Sequence, residues 1–109
     1  MDWLDNLSPT EAAELVKQGK VILIDVREAE EFAAARIPGA LLHPLSTFDP
    51  AALPNDPARP VLFHCAKGGR SAMAADKYRA HVGCDRVGHV AGGIGDWIAQ
   101  GLPVIKADG

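Results

Sequence analysis

The sequence predicts an α/β fold, an open and mostly parallel sheet with helices on both faces. Two observations support this: strand-like and helix-like segments alternate along the chain, and the strand-like runs are short and apolar throughout, without the alternation of a half-exposed strand. In order, Ser8-Pro9-Thr10-Glu11 opens a helix. Ser8 is placed to cap it, Pro9 suits its first position, and Glu11 can return the capping bond. Ala12, Leu15 and Val16 form its apolar stripe, and Gly19 ends it. Val21-Ile22-Leu23-Ile24 is a strand covered on both faces. Residues 28–35 make a short helix with acidic residues facing the positive end of its dipole. Residues 40–43 give another strand. Residues 49–60 carry Pro50, Pro54, Pro57 and Pro60, a surface connection with at most one short helix over 49–53. Val61-Leu62-Phe63-His64 is a further strand. A helix over 71–82 has small side chains that let it lie close to a sheet. A strand over 86–90 and a helix over 95–100, stopped by Gly101 and Pro103, complete the pattern. Trp97 is expected to pack the last helix onto the sheet, and Trp3 the first segment.

The chain has 109 residues, the size of one domain spanning 1–109, and no repeat or linker divides it. Its formal charge of −3 argues against a nucleic-acid surface. No apolar run is long enough to span a bilayer. The start, Met1-Asp2-Trp3-Leu4-Asp5, lacks the basic and apolar regions of a signal peptide. Two cysteines, Cys65 and Cys84, are too few for a disulfide framework, so a cytoplasmic location and free thiols are expected.

Open parallel sheets bind ligands beyond the carboxyl ends of their strands. After His64 the chain reads Cys65-Ala66-Lys67-Gly68-Gly69-Arg70-Ser71 and enters a helix. The glycines permit a backbone whose N–H groups turn inward, and the helix start adds unpaired donors and positive partial charge. That cradle lowers a thiol's pKa by favouring the thiolate. Lys67 and Arg70 add positive charge at its rim and would draw in an anionic donor. The competing reading, an inert core cysteine at an ordinary turn, is outweighed by the coincidence of strand end, paired glycines and flanking cations.

This loop resembles the active-site loop of rhodanese-like domains in its C-x-x-G-x-R-S form. Ile24-Asp25-Val26-Arg27-Glu28 is similar to the family's D-V-R-E segment. Glu31-Phe32 and Arg36-Ile37-Pro38-Gly39-Ala40 resemble its E-[FY] and G-H-I-P-G-A segments, and Gly92-Gly93-Ile94-Gly95-Asp96-Trp97 its G-G-x-x-x-W segment. One departure is Ala35-Arg36 where the family has Gly-His, which puts the turn there in doubt. The resemblance implies a five-stranded rhodanese-like sheet and a sulfurtransferase. In it Cys65 is the nucleophile, residues 66–71 (Ala66, Lys67, Gly68, Gly69, Arg70 and Ser71) bind the substrate, and Asp25 and Arg27 support the site. The donor is thiosulfate or a persulfide, the acceptor a thiol or cyanide-like group or a sulfur-relay protein. A monomer with no cofactor or metal is expected.

Other residues have plainer readings. Arg27 can help hold a donor, but an ion pair with Asp25 or Glu31 that fixes the second helix is favoured. His64 points away from its neighbour Cys65 and is not its base. His43, His81 and His89 lack metal-ligand spacing. For Ser71, capping the helix is favoured over bonding a persulfide. Cys84 is read as structural rather than resolving. Two rival functions remain: a non-enzymatic sulfur carrier or regulatory module, and a Cdc25-like phosphatase or arsenate reductase. Phosphatases of that type carry C-x5-R, whereas four residues separate Cys65 from Arg70.

Overall fold

The computed structural model describes residues 6–83 and 87–107. Five parallel strands form the main sheet in the order β1 (Asn6–Leu7), β6 (Val87–Val90), β5 (Val61–His64), β2 (Ile22–Asp25) and β4 (Leu41–Leu42). The expected α/β class and five-stranded sheet are therefore present. The helices are α1 (Pro9–Lys17), α2 (Ala29–Ala34), α3 (Gly69–Val82) and α4 (Gly93–Ala99). A small antiparallel pair, β3 (Ala35–Arg36) with β7 (Ile105–Lys106), lies outside the main sheet.

Strand alternation divides the apolar residues between two cores. Ile22, Ile24, Val61, Phe63 and Val87 face one side and meet Ala74, Ala75 and Tyr78 of α3. Leu7, Leu23, Leu62 and Val90 face the other and meet Ala12 of α1 and Ile94 and Trp97 of α4. Each fully buried large side chain contributes about 1.5–3 kcal/mol, and both faces of the central strands are covered. That is why β2 and β5 read as unbroken apolar runs. Trp97 is held further by its Nε1–H donating to the Pro103 carbonyl at 2.8 Å. Trp3, Cys84 and Arg86 lie outside the described residues.

Most boundaries follow local chemistry. Ser8 and Glu11 form the expected capping box at α1, with N–H bonds of 3.2 and 3.1 Å. The short helix expected over 49–53 is a 3-10 turn at Pro50–Ala52, where Asp49 Oδ1 accepts from the Ala51 N–H at 3.1 Å. The helix expected from Ser71 begins two residues earlier, at Gly69, because Gly68 makes the turn at φ 112°. Likewise α4 begins at Gly93 rather than Gly95, after Gly92 turns the chain at φ 73°. The doubt over Ala35-Arg36 is resolved by β3: Ala35 is extended at φ −160°, a conformation open to any residue, and the Arg36 guanidinium lies 5.3 Å from the Phe32 ring centroid. Among the described residues no helix is long and apolar enough to cross a membrane.

Candidate active site

Cys65 follows the last residue of β5, at the carboxyl edge of the sheet. A left-handed turn at Gly68, open to glycine at no steric cost, folds the chain back toward the strand. The Gly68 N–H then donates to Cys65 Sγ at 3.0 Å. The N–H dipoles of Lys67 and Ser71 also favour the anion, and Ser71 Oγ lies 3.5 Å from the sulfur. Burial alone pushes this thiol up, but the Ser71 hydroxyl and the three amides outweigh it and hold the pKa below its ordinary value. The amides therefore aim inward, as expected of an anion cradle.

The sulfur is not open to solvent. Cys65 is only 1% exposed and belongs to the α3-side core. The side chain is therefore buried in that core as well as held by the loop.

A second loop braces the first. The Ile94 N–H donates to the Cys65 carbonyl at 2.8 Å, and the Gly95 N–H to the Ala66 carbonyl at 3.1 Å. The approach is so close that a Cβ on Gly93 would stand 2.3 Å from the Cys65 carbonyl oxygen. The G-G-x-x-x-W segment thus has a physical purpose at this site, one that its spacing along the chain does not reveal.

The two expected rim cations differ. Lys67 is exposed. Arg70 is not an unattached cation: its guanidinium grips Glu31 through both terminal nitrogens, at 2.7 and 3.0 Å. The Arg70 bond holds the Glu31 carboxyl down at about 2. Glu31 in turn raises the Arg70 pKa, with a smaller contribution from Cys65. Glu31 also accepts from the Glu28 N–H at 2.9 Å, so it joins the start of α2 to the cysteine loop.

Arg27 pairs with Asp25 at 2.7 Å rather than with Glu31, and its Nη2 donates to the Ala35 carbonyl at 2.6 Å. These buried bonds fix the exit from β2 and the end of α2. His64 is fully buried, with Nε2 3.5 Å from Asp25 Oδ2. Burial pushes its pKa down more strongly than Asp25 raises it, which favours a neutral ring. Alternation along the strand puts it with Asp25, on the face opposite Cys65.

Ser71 is not the helix cap expected of it. It stands at the third position of α3, where its hydroxyl lies 3.1 Å from the Gly68 carbonyl and 3.0 Å from His89 Nδ1. His89, set aside in the sequence for want of metal-ligand spacing, is brought here because β6 lies beside β5 with His89 opposite Phe63. Its place near the carboxyl end of a strand was the available signal. Among the described residues no three His, Cys, Asp or Glu side chains gather to hold a metal ion.

A parallel α/β sheet whose central strand runs into a glycine-rich cysteine loop and then a helix defines a class of α/β domains with a cysteine at the carboxyl edge of the sheet. Within it, the chain belongs to the rhodanese-like domain family, whose pattern it matches over residues 8–100. It is 35% identical over 91 residues to a sulfurtransferase of Allochromatium vinosum, covering 82% of each chain. It is 31% identical to the thiosulfate sulfurtransferase GlpE of Actinobacillus succinogenes, covering 94% of this chain and 92% of that one. An uncharacterized Synechocystis protein is 34% identical over 92% of this chain, which spans 55% of that protein's length. A rhodanese-related protein from Thermoplasma volcanium superposes with a TM-score of 0.79 at 28% identity, covering 93% of this chain and 97% of that one. A Rhodopseudomonas palustris protein described as a possible tyrosine phosphatase gives 0.78 at 28% identity, covering 94% and 85%.

Proposed function

We propose that the protein is a sulfurtransferase that carries sulfane sulfur as a persulfide on Cys65. The observation that supports this reading is the set of three backbone N–H groups and one hydroxyl converging on Sγ, which favours a thiolate. The thiolate attacks the outer sulfur of thiosulfate. A sulfur–sulfur bond forms to Cys65, the bond to the sulfonate sulfur breaks, and sulfite leaves with the electron pair. A nucleophilic acceptor, cyanide or a thiolate, then takes the outer sulfur and returns Cys65 as thiolate. These two half-reactions predict ping-pong kinetics. The amides of residues 66–71 bond the persulfide. Lys67 attracts the anionic donor, and Arg70 lends charge from its place on Glu31. A reduced Cys65 is required at the outset, which suits the cytoplasm.

Thiosulfate:cyanide turnover by Cys65→Ser tests the reading. Turnover is expected to vanish while circular dichroism keeps the wild-type spectrum, and mass spectrometry of thiosulfate-treated wild type should show one added sulfur on the Cys65 peptide. Full activity in the serine variant would sink the proposal. Rapid turnover of an aryl phosphate would favour a phosphatase instead, although the four-residue spacing to Arg70 makes a cradle small for a phosphoryl group.

A further inference from the structure

We infer that His89, acting through the Ser71 hydroxyl, is a positioning residue that takes up the Cys65 proton and stabilises the thiolate. The proposal rests on Cys65 being the reacting sulfur. Among the described residues, Ser71 Oγ has three hydrogen-bonding neighbours: Cys65 Sγ at 3.5 Å, the Gly68 carbonyl at 3.1 Å and His89 Nδ1 at 3.0 Å. A hydroxyl has one hydrogen to give and two lone pairs to receive, so the protonation states of the three groups are linked.

With Cys65 as a thiol, S–H points to Oγ, and the serine hydrogen donates to the Gly68 carbonyl and can turn from it to His89 Nδ1. With Cys65 as a thiolate, the serine hydrogen must turn to sulfur, because the anion only accepts. Oγ then needs a donor, and Nδ1–H is the donor in reach. The Gly68 carbonyl loses nothing, since it keeps the Ala72 N–H at 3.1 Å. The transfer balances. The S–H bond breaks as a new Oγ–H forms, the old Oγ–H breaks as Nδ1–H forms, and a neutral thiol and imidazole become thiolate and imidazolium. Serine ends as it began.

The surroundings favour this chain over direct contact with water. Cys65 and Ser71 are buried, and Gly68 lies so near the His89 ring that a Cβ there would stand 3.9 Å from Cε1. Among the described residues, charged groups on the elements flanking the relay include Lys67 and Arg70 of the cysteine loop and Asp96 of α4, whose carboxylate lies over Gly92. His64 faces away with Asp25 and Arg27.

The test follows the rate of Cys65 alkylation by iodoacetamide against pH, resolved by peptide mass spectrometry, in wild type, His89→Gln, His89→Asn, Ser71→Ala and the double variant Ser71→Ala/His89→Gln. Loss of the imidazolium should move the alkylation midpoint up by roughly one pH unit, about tenfold in rate at neutral pH. The same His89→Gln change should have no further effect once Ser71 is alanine. A midpoint unmoved in both His89 variants, each with wild-type circular dichroism, would overturn the inference. So would an equal shift with and without the Ser71 hydroxyl, which would mean that His89 acts only through its field. Alkylation requires no sulfur donor, so this result stands apart from the thiosulfate:cyanide assay that tests the function.

Discussion

The turns that leave β2 and β5 start from adjacent parallel strands, in register at Asp25 and His64, and they handle charge in opposite ways. The β2 turn buries a full positive and a full negative charge, Arg27 and Asp25, and lets them neutralise each other. Its product is rigidity: the Arg27 guanidinium also ties down the Ala35 carbonyl. The β5 turn buries a sulfur and surrounds it with partial charges, the N–H dipoles of Lys67, Gly68 and Ser71. Its cations stand further out, Lys67 in solvent and Arg70 on Glu31. A paired charge braces the sheet edge, whereas the amide dipoles of the β5 turn favour an anion at the sulfur they surround.

The largest effect is expected from breaking the braced turn. Arg27→Ala leaves Asp25 buried without its counter-charge, so urea denaturation should show a loss of about 3–5 kcal/mol. Gly93→Ala strikes the donor turn instead. The new Cβ would meet the Cys65 carbonyl oxygen at 2.3 Å, on a backbone at φ 61°. A loss of about 2–3 kcal/mol is expected, together with slower alkylation of Cys65 as the loop is pushed off its sulfur.

Titration sharpens the contrast. Folding lowers the Cys65 pKa, so the thiolate adds stability that is complete above the unfolded thiol's pKa and is lost as pH falls through the folded value. Urea midpoints of wild type, less those of Cys65→Ala, should therefore rise as pH is raised across that window. A flat difference would mean that the dipoles do not favour the anion. The smallest effect belongs to Glu31→Gln. This pair is about one-third exposed, so solvent screening keeps its contribution below about 1 kcal/mol. That contribution is present above the ordinary glutamate value of 4.5 and is lost as pH falls toward about 2. The variant's acid unfolding curve should be shallower than wild type there.

Much of the fold was legible because local signals and burial agree. The apolar run of β5 and the Ser8–Glu11 capping box stand where the chain alone places them, and β2 is displaced by one residue, to Ile22–Asp25. β1, β3 and β7 were not legible, since two residues carry no periodicity and their pairing is decided by partners far along the chain. The cysteine loop was readable for the same reason as the strands: its glycines and helix start are consecutive. Glu31 on Arg70, His89 on Ser71 and Gly93 against the Cys65 carbonyl are contacts between separate segments. Strand order brings them together, and strand order is not written in any one segment. The reading of Ser71 as a cap failed because Gly68, three residues before the expected helix start, already turns the chain.

The little clasp of β3 with β7 has a mechanical meaning. β7 holds Ala35 and Arg36, and the Ala107 N–H reaches the Ala34 carbonyl at 2.9 Å, so the far end of α2 is fastened to residues more than sixty positions away. The near end of α2 carries Glu31, and Glu31 grips Arg70 on the cysteine loop. The chain near residue 105 and the loop that follows the cysteine are thus joined end to end through one short helix and one ion pair.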